Sequence, residues 1–258
     1  MQNQTSQLFI VCGASSGFGG AVTRNLISQG HRVVAISRDK NKYEKSSFGV
    51  NADNLVVIEG DLSDSATLGK VHDYVKEKVL HGIFVNSGGP PAKKILETSM
   101  EDWDNAYTTL LRWKIELIKL LLPKFLDQEY GRILFLESSS VKQPIENLVL
   151  STSLRSAVVG FAKTLSEEVA QHGVTVNVLA PGYHDTSALK RLIDKKIKDS
   201  NADKDEVLNS FAEQTKVGFL GNPDKLASLA GWLLSEDSEY ITGQTISVDG
   251  GMIKGTFG

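Results

Sequence analysis

Residues Gly13-Ala14-Ser15-Ser16-Gly17-Phe18-Gly19 follow directly on the apolar run Leu8 to Cys12 and lead into a helix-like stretch, Ala21 to Ser28. Strand, glycine turn and helix in that order are what a phosphate cradle needs. Gly13 permits the sharp turn, Gly17 lets backbone approach a ligand with no Cβ in the way, and Gly19 allows the helix to pack on the strand. The unpaired N–H groups at the helix N-terminus then face a pyrophosphate. Ser15, Ser16 and Phe18 belong to the same candidate dinucleotide cradle; an ordinary turn is the alternative.

Short β-rich runs alternate with longer helical patterns down the rest of the chain. Seven candidate strands result: Leu8 to Cys12, Arg32 to Ile36, Leu55 to Glu59, Gly82 to Val85, Arg132 to Leu136, Val174 to Leu179 and Thr245 to Val248. Most are apolar throughout rather than alternating, which favours a parallel sheet covered on both faces. The helical stretch Met100 to Leu126 is apolar around most of its circumference, and with Ser151 to Gln171 it is a candidate subunit interface or a core helix of a large monomer.

At 258 residues, with no linker or repeat, one α/β domain is the simplest reading. No apolar run approaches the roughly 20 residues of a membrane span, and Met1 to Gln7 has no Lys or Arg and does not read as a signal peptide. The single cysteine, Cys12, cannot form an internal disulfide, which suggests a reducing, cytoplasmic setting. A net charge of -3 argues against a nucleic-acid partner. The five histidines show no metal-ligand spacing, so no metal site is expected. Ser187 to Val217 is the most polar stretch, a solvated helical excursion or a mobile substrate lid.

Five signals then occur in order: the Gly13/Gly17/Gly19 turn, Gly60-Asp61-Leu62, Asn86-Ser87-Gly88-Gly89, Pro181-Gly182-Tyr183-His184-Asp185-Thr186, and Tyr240-Ile241-Thr242-Gly243-Gln244 leading to Val248-Asp249-Gly250-Gly251. From Leu8 to the C-terminus the chain resembles the short-chain dehydrogenases/reductases, most of all their 3-oxoacyl-acyl-carrier-protein reductase-like branch. The resemblance implies a single Rossmann-type domain, a doubly wound seven-stranded parallel sheet of order 3-2-1-4-5-6-7. It also implies a nicotinamide cofactor and a homotetramer built on the two long helices.

Carried over by position, Asp61 and Leu62 lie where the family meets the adenine, although Asp61 or Ser63 can equally cap the next helix. Asn86, Ser87 and Gly88 lie where backbone runs against the nicotinamide ribose. Pro181, Gly182 and Thr186 lie where the family binds the carboxamide and pyrophosphate end, a plain turn with a capping Thr being the alternative. Ser37 and Arg38 close the second strand with no acidic group for a ribose 2′-hydroxyl. A guanidinium there suits a 2′-phosphate, so NADP is expected rather than NAD.

The family's Tyr-x-x-x-Lys is missing. Ser151 stands in the Tyr slot, Arg155 in the Lys slot and Leu110 in the Asn slot, while Ser138 keeps the family's serine, thirteen residues before Ser151. A serine is a far poorer acid than a phenol and arginine stays protonated, so neither simply replaces its counterpart. Ser138, Ser151 and Arg155 are expected to form an oxyanion clamp, with the proton arriving through water or from Tyr183. The expected activity is NADP-dependent hydride transfer between a carbonyl and an alcohol, the substrate lying among acyl thioesters, sugars and small ketones. The competing class is an NADP-binding or scaffold protein that has lost the chemistry.

Overall fold

The computed structural model describes residues 6–43, 54–200 and 203–256. Residues 1–5 of the polar start and residues 201–202 of the charged segment lie outside the described residues, as do the side chains of Lys195 and Asp199. Seven strands form one sheet: β1 (Leu8–Cys12), β2 (Arg32–Ser37), β3 (Leu55–Glu59), β4 (Gly82–Asn86), β5 (Gly131–Leu136), β6 (Val174–Pro181) and β7 (Thr245–Val248). Their order is β3-β2-β1-β4-β5-β6-β7 and every pairing is parallel. The seven strands and their order match the sequence expectation; β6 runs two residues further, to Pro181.

The helices are α1 (Gly17–Ser28), α2 (Ser65–Val75), α3 (Met100–Tyr107), α4 (Trp113–Asp127), α5 (Val149–Val169), α6 (Ser187–Ser200), α7 (Lys204–Ala212) and α8 (Pro223–Leu233). One face of the sheet packs through Ile10, Val34, Ile83 and Phe135 on Leu68, Leu117, Leu121 and Val158 of α2, α4 and α5. The other packs through Phe9, Val11, Phe84 and Leu134 on Val22, Leu26, Ala227 and Ala230 of α1 and α8. Both faces are therefore dry, which is why the central strands read as continuous apolar runs. Edge strands β3 and β7 are only half buried.

Two local details depart from the sequence reading. Asp64, rather than Asp61 or Ser63, caps α2, its carboxylate accepting from the Ala66 N–H at 3.1 Å. Asp61 instead folds its carboxylate onto Ser63, accepting from its N–H at 2.8 Å and its hydroxyl at 2.6 Å, which holds the acid below the usual carboxylate range. The long helix predicted over Met100 to Leu126 is interrupted by a π turn, Thr108–Arg112, between α3 and α4. Such a turn accommodates an extra residue and re-aims the helix beyond it, and wide turns of this kind concentrate at functional sites.

The chain lays β1, β2 and β3 outward in one direction, then returns to the other side of β1 and lays β4 to β7 outward in the opposite direction. A crevice must open outside the strand C-termini at such a switch point. Cys12, Asn86, Leu136 and Pro181 end the strands that border it.

Candidate active site

Gly13 and Gly17 adopt φ of +61° and +53°, backbone that favours glycine. A Cβ on Gly19 would lie 2.3 Å from the carbonyl oxygen of Gly13, so the helix packs on the turn only without one. Ser16 caps α1 with extended backbone and no side-chain hydrogen bond, and the first turn of α1 holds no acidic residue. The helix N-terminus is thus left open to an anion. Ser15 lies half buried behind it.

The loop after β6 closes over this turn. Thr186 is buried, and its side chain lies 3.9 Å from where a Cβ of Gly17 would stand; its hydroxyl also accepts from the Leu189 N–H at the start of α6. Phe18 meets the ring of His184 edge to face at 5.0 Å. The Nδ1 of His184 donates to the carbonyl of Gly182 at 3.1 Å, and burial holds the ring below its ordinary pKa, hence neutral. His184 therefore pins the loop. Gly182 follows Pro181 so closely against Asp249 that a Cβ would sit 2.9 Å from that residue's Cα.

At the end of β2, the Ser37 hydroxyl exchanges hydrogen bonds with the backbone of Asp39, while the Arg38 side chain is exposed and contributes to the low pKa of Asp61. Leu62 is half buried and packs on the core beneath. Beyond β4, the Asn86 amide lies against Gly13, where a Cβ would come within 2.9 Å of Nδ2. The Ser87 hydroxyl is buried with no hydrogen-bond partner among the described residues. An open helix terminus, a glycine cradle and an orphaned buried hydroxyl beside it fit a dinucleotide, with Gly88 completing the small-residue floor.

Ser138 lies two residues beyond the end of β5, half buried, and its Oγ accepts from the Ser140 N–H at 3.1 Å. On α5, Ser151 and Arg155 are buried and one turn apart, with Arg155 Nε donating to Ser151 Oγ at 3.2 Å. Arg155 Nη2 donates to the carbonyl of Gly88 at 3.1 Å, and Nη1 to the Glu137 carboxylate at 2.9 Å and the Glu137 carbonyl at 3.4 Å. Glu137 also receives Lys114 Nζ at 2.5 Å. Lys114, Glu137 and Arg155 are 0%, 5% and 6% exposed, so this is a sealed Lys–Glu–Arg triad.

The guanidinium is consequently not the free clamp expected from its slot: these bonds occupy four of its five N–H groups. Its reach toward a substrate runs through the Ser151 hydroxyl. Tyr183 is likewise committed elsewhere. Its ring stacks edge-on with Phe211 at 4.9 Å, its hydroxyl donates to Gln214 at 3.4 Å, and burial raises its pKa, which makes it a weaker acid. Leu110, in the family's Asn slot, is buried and brings no polar group there.

A family model described as enoyl-(acyl carrier protein) reductase matches residues 13–253. The chain belongs to the short-chain dehydrogenase/reductase family. It is 28% identical over 250 residues to the NADPH-dependent reductase BacG of Bacillus subtilis, covering 95% of this chain and 96% of that protein. It is 28% identical over 254 residues to the 3-oxoacyl-[acyl-carrier-protein] reductase FabG of Escherichia coli, covering 97% and 98%. The crystal structure of YwfH, an NADPH-dependent reductase involved in bacilysin biosynthesis, superposes with a TM-score of 0.90 at 26% identity, covering 97% of this chain and 100% of that one.

Within this short-chain dehydrogenase/reductase, sequence reasoning passes over Lys114 and Glu137. A signal for each exists. Lys114 stands four residues after Leu110 and three and four before Leu117 and Ile118, all buried, so helical spacing puts it on the core stripe rather than with the solvated lysines. Glu137 directly continues a fully buried strand. A charge at a core position requires a partner, and two are present.

Proposed function

We propose that the chain is an NADP(H)-dependent oxidoreductase interconverting a carbonyl and an alcohol, with 3-oxoacyl thioesters as the leading substrate class. The observation that carries this is the state of the two site hydroxyls. Ser138 Oγ and Ser151 Oγ each accept from a fixed N–H, that of Ser140 and that of Arg155, which leaves each O–H to be donated. Two donating hydroxyls beside the Asn86–Gly88 loop are suited to a carbonyl oxygen that gains negative charge.

Bound NADPH supplies a hydride to the carbonyl carbon. The residues then have to handle the oxygen, which takes the electron pair of the C=O π bond. Ser138 and Ser151 donate to it; Ser151 passes on its proton and recovers one from water. The Arg155 Nε–H held on Ser151 Oγ stabilises the transient charge there. Arg155 thus supports Ser151 rather than touching the substrate, and serine's weak acidity is offset by a fixed cation one bond away. The absence of a carboxylate at Ser37-Arg38 and the NADPH dependence of its relatives BacG and YwfH both support NADP.

The charged segment is assigned a lid role. α6 and α7 pack on each other through Leu189, Ile193, Val207 and Phe211, a small core separate from the two that flank the sheet, and Tyr183 joins it at the crevice edge. Small separate cores move as units. We also propose a homotetramer, for which Tyr107 and Met100 exposed on α3 offer apolar surface, in a reducing cytoplasm that suits a chain whose single cysteine, Cys12, is buried and cannot form an internal disulfide.

Cofactor fluorescence followed by turnover on acetoacetyl-CoA, a keto sugar and a small ketone tests the reading. Ser151→Ala is expected to lose roughly 100- to 1,000-fold in kcat, the usual effect of removing one oxyanion donor, with NADPH affinity unchanged. Tyr183→Phe is expected to leave kcat within a few-fold. NADPH binding without turnover of any carbonyl would support the non-catalytic alternative instead.

A further inference from the structure

The Lys114–Glu137–Arg155 triad has a charge count that its packing alone does not require. Glu137 accepts from Lys114 at 2.5 Å and from Arg155 at 2.9 Å, so one carboxylate faces two cations. Burial and the Arg155 charge push Lys114 below the ordinary lysine value while Glu137 opposes them through its direct contact, and Cys12, the other titratable neighbour, has a thiol that its own burial keeps neutral. While Lys114 is protonated, the cluster holds one unbalanced positive charge. Arg155 delivers it to the Gly88 carbonyl at 3.1 Å and to Ser151 Oγ at 3.2 Å, the two points where the triad meets the crevice.

We propose that this buried excess charge sets which form of the cofactor the site prefers, favouring NADPH over NADP+, and that Lys114 is the residue that creates the excess. The inference rests on the nicotinamide reading of the site. A reduced nicotinamide ring is neutral and the oxidised ring carries one positive charge. A fixed cation beneath the Asn86–Gly88 loop repels only the oxidised form. Burial strengthens the repulsion, because charges buried away from water are weakly screened. The same charge favours the electron-rich oxygen formed on carbonyl reduction, so the site is biased in the reductive direction.

Without Lys114, Glu137 and Arg155 form a neutral pair. With both Lys114 and Glu137 made neutral, Arg155 alone restores one positive charge. Charge and packing thus make opposite forecasts for the double variant. Lys114 is a positioning residue here, acting through Glu137 and Arg155, with no contact to the cofactor required.

The test is the ratio of dissociation constants for NADPH and NADP+, measured by calorimetry on the full chain. Wild type is expected to prefer NADPH. Lys114→Met should shift the ratio roughly tenfold toward NADP+, the size of a one-charge change at a short distance through protein. The double variant Lys114→Met/Glu137→Gln should return to the wild-type ratio. If Lys114→Met fails to fold, Glu137→Gln alone carries the test and should move the ratio further toward NADPH. A purely structural triad would weaken both nucleotides equally in every variant, and an unchanged ratio overturns the inference while leaving the cofactor reading intact. Failure of wild type to bind either nucleotide overturns that reading and the inference together.

Discussion

Glu137→Ala removes the anion shared by two buried cations and strands both. Breaking one buried ion pair from one side typically costs about 3–5 kcal/mol, so denaturant unfolding should show a loss of at least that order. Lys114→Met should cost less, since it leaves the Glu137–Arg155 bond in place. Arg38 behaves differently because it is exposed. A charged hydrogen bond to a 2′-phosphate is worth about 1.5–3 kcal/mol before solvent screening, so Arg38→Ala should weaken NADPH by somewhat less and leave NADH untouched. Titration of both nucleotides checks this. The glycine turn and the serine-arginine substitution are legible in the sequence because each occupies a slot fixed by chain order. Lys114 and Glu137 are legible only through burial, and their partnership not at all, since 23 residues and a strand crossing separate them.

The N-terminal strand carries its own pH dependence. Gln7 N–H donates to Nδ1 of His31 at 3.3 Å, and Leu8 N–H to Nδ1 of His81 at 3.1 Å. Each ring must be neutral at Nδ1 to accept. Burial lowers both pKa values; the charge of His81 adds to the shift at His31, while Glu236 opposes the shift at His81. Since the unfolded histidines titrate near the ordinary value of about 6.5, the unfolded state binds more protons below it. This stability is thus present above about pH 6.5 and is lost as pH falls through the lower folded values, with His184 adding to it. Thermal melting should drop between about pH 7.5 and 5.5, and His31→Gln/His81→Gln should flatten the drop. A chain whose melting is level over that range would contradict the assignment. At this scale the strands are the easiest elements to read, because apolar runs buried on both faces leave no ambiguity of period. The π turn is not legible, since nothing in Thr108 to Arg112 departs from ordinary helix composition.

As a whole molecule, the sheet's order places four strand ends around one crevice, and three of the five sequence signals, those after β1, β4 and β6, fall on those ends. The proposed tetramer would use a face that the fold leaves uncovered. The outer side of α4 and the end of α3 present Tyr107, Ile115 and Leu120 with Arg112, Glu116 and Lys119 in one shallow groove. Apolar residues ringed by both charges suit a two-fold, self-complementary contact. Sedimentation at micromolar concentration should give four times 28.1 kDa; a species of 28.1 kDa alone would contradict it. Hydride transfer is the claim on which the rest depends, and it is tested most directly by following isotope. NADPH carrying deuterium at the transferable position of its nicotinamide is incubated with the chain and the carbonyl panel. One deuterium should appear on the carbinol carbon of at least one alcohol product, with the label lost from the cofactor and the transfer severely slowed in Ser151→Ala. Deuterium retained in the cofactor across the whole panel, with NADPH bound throughout, would contradict it.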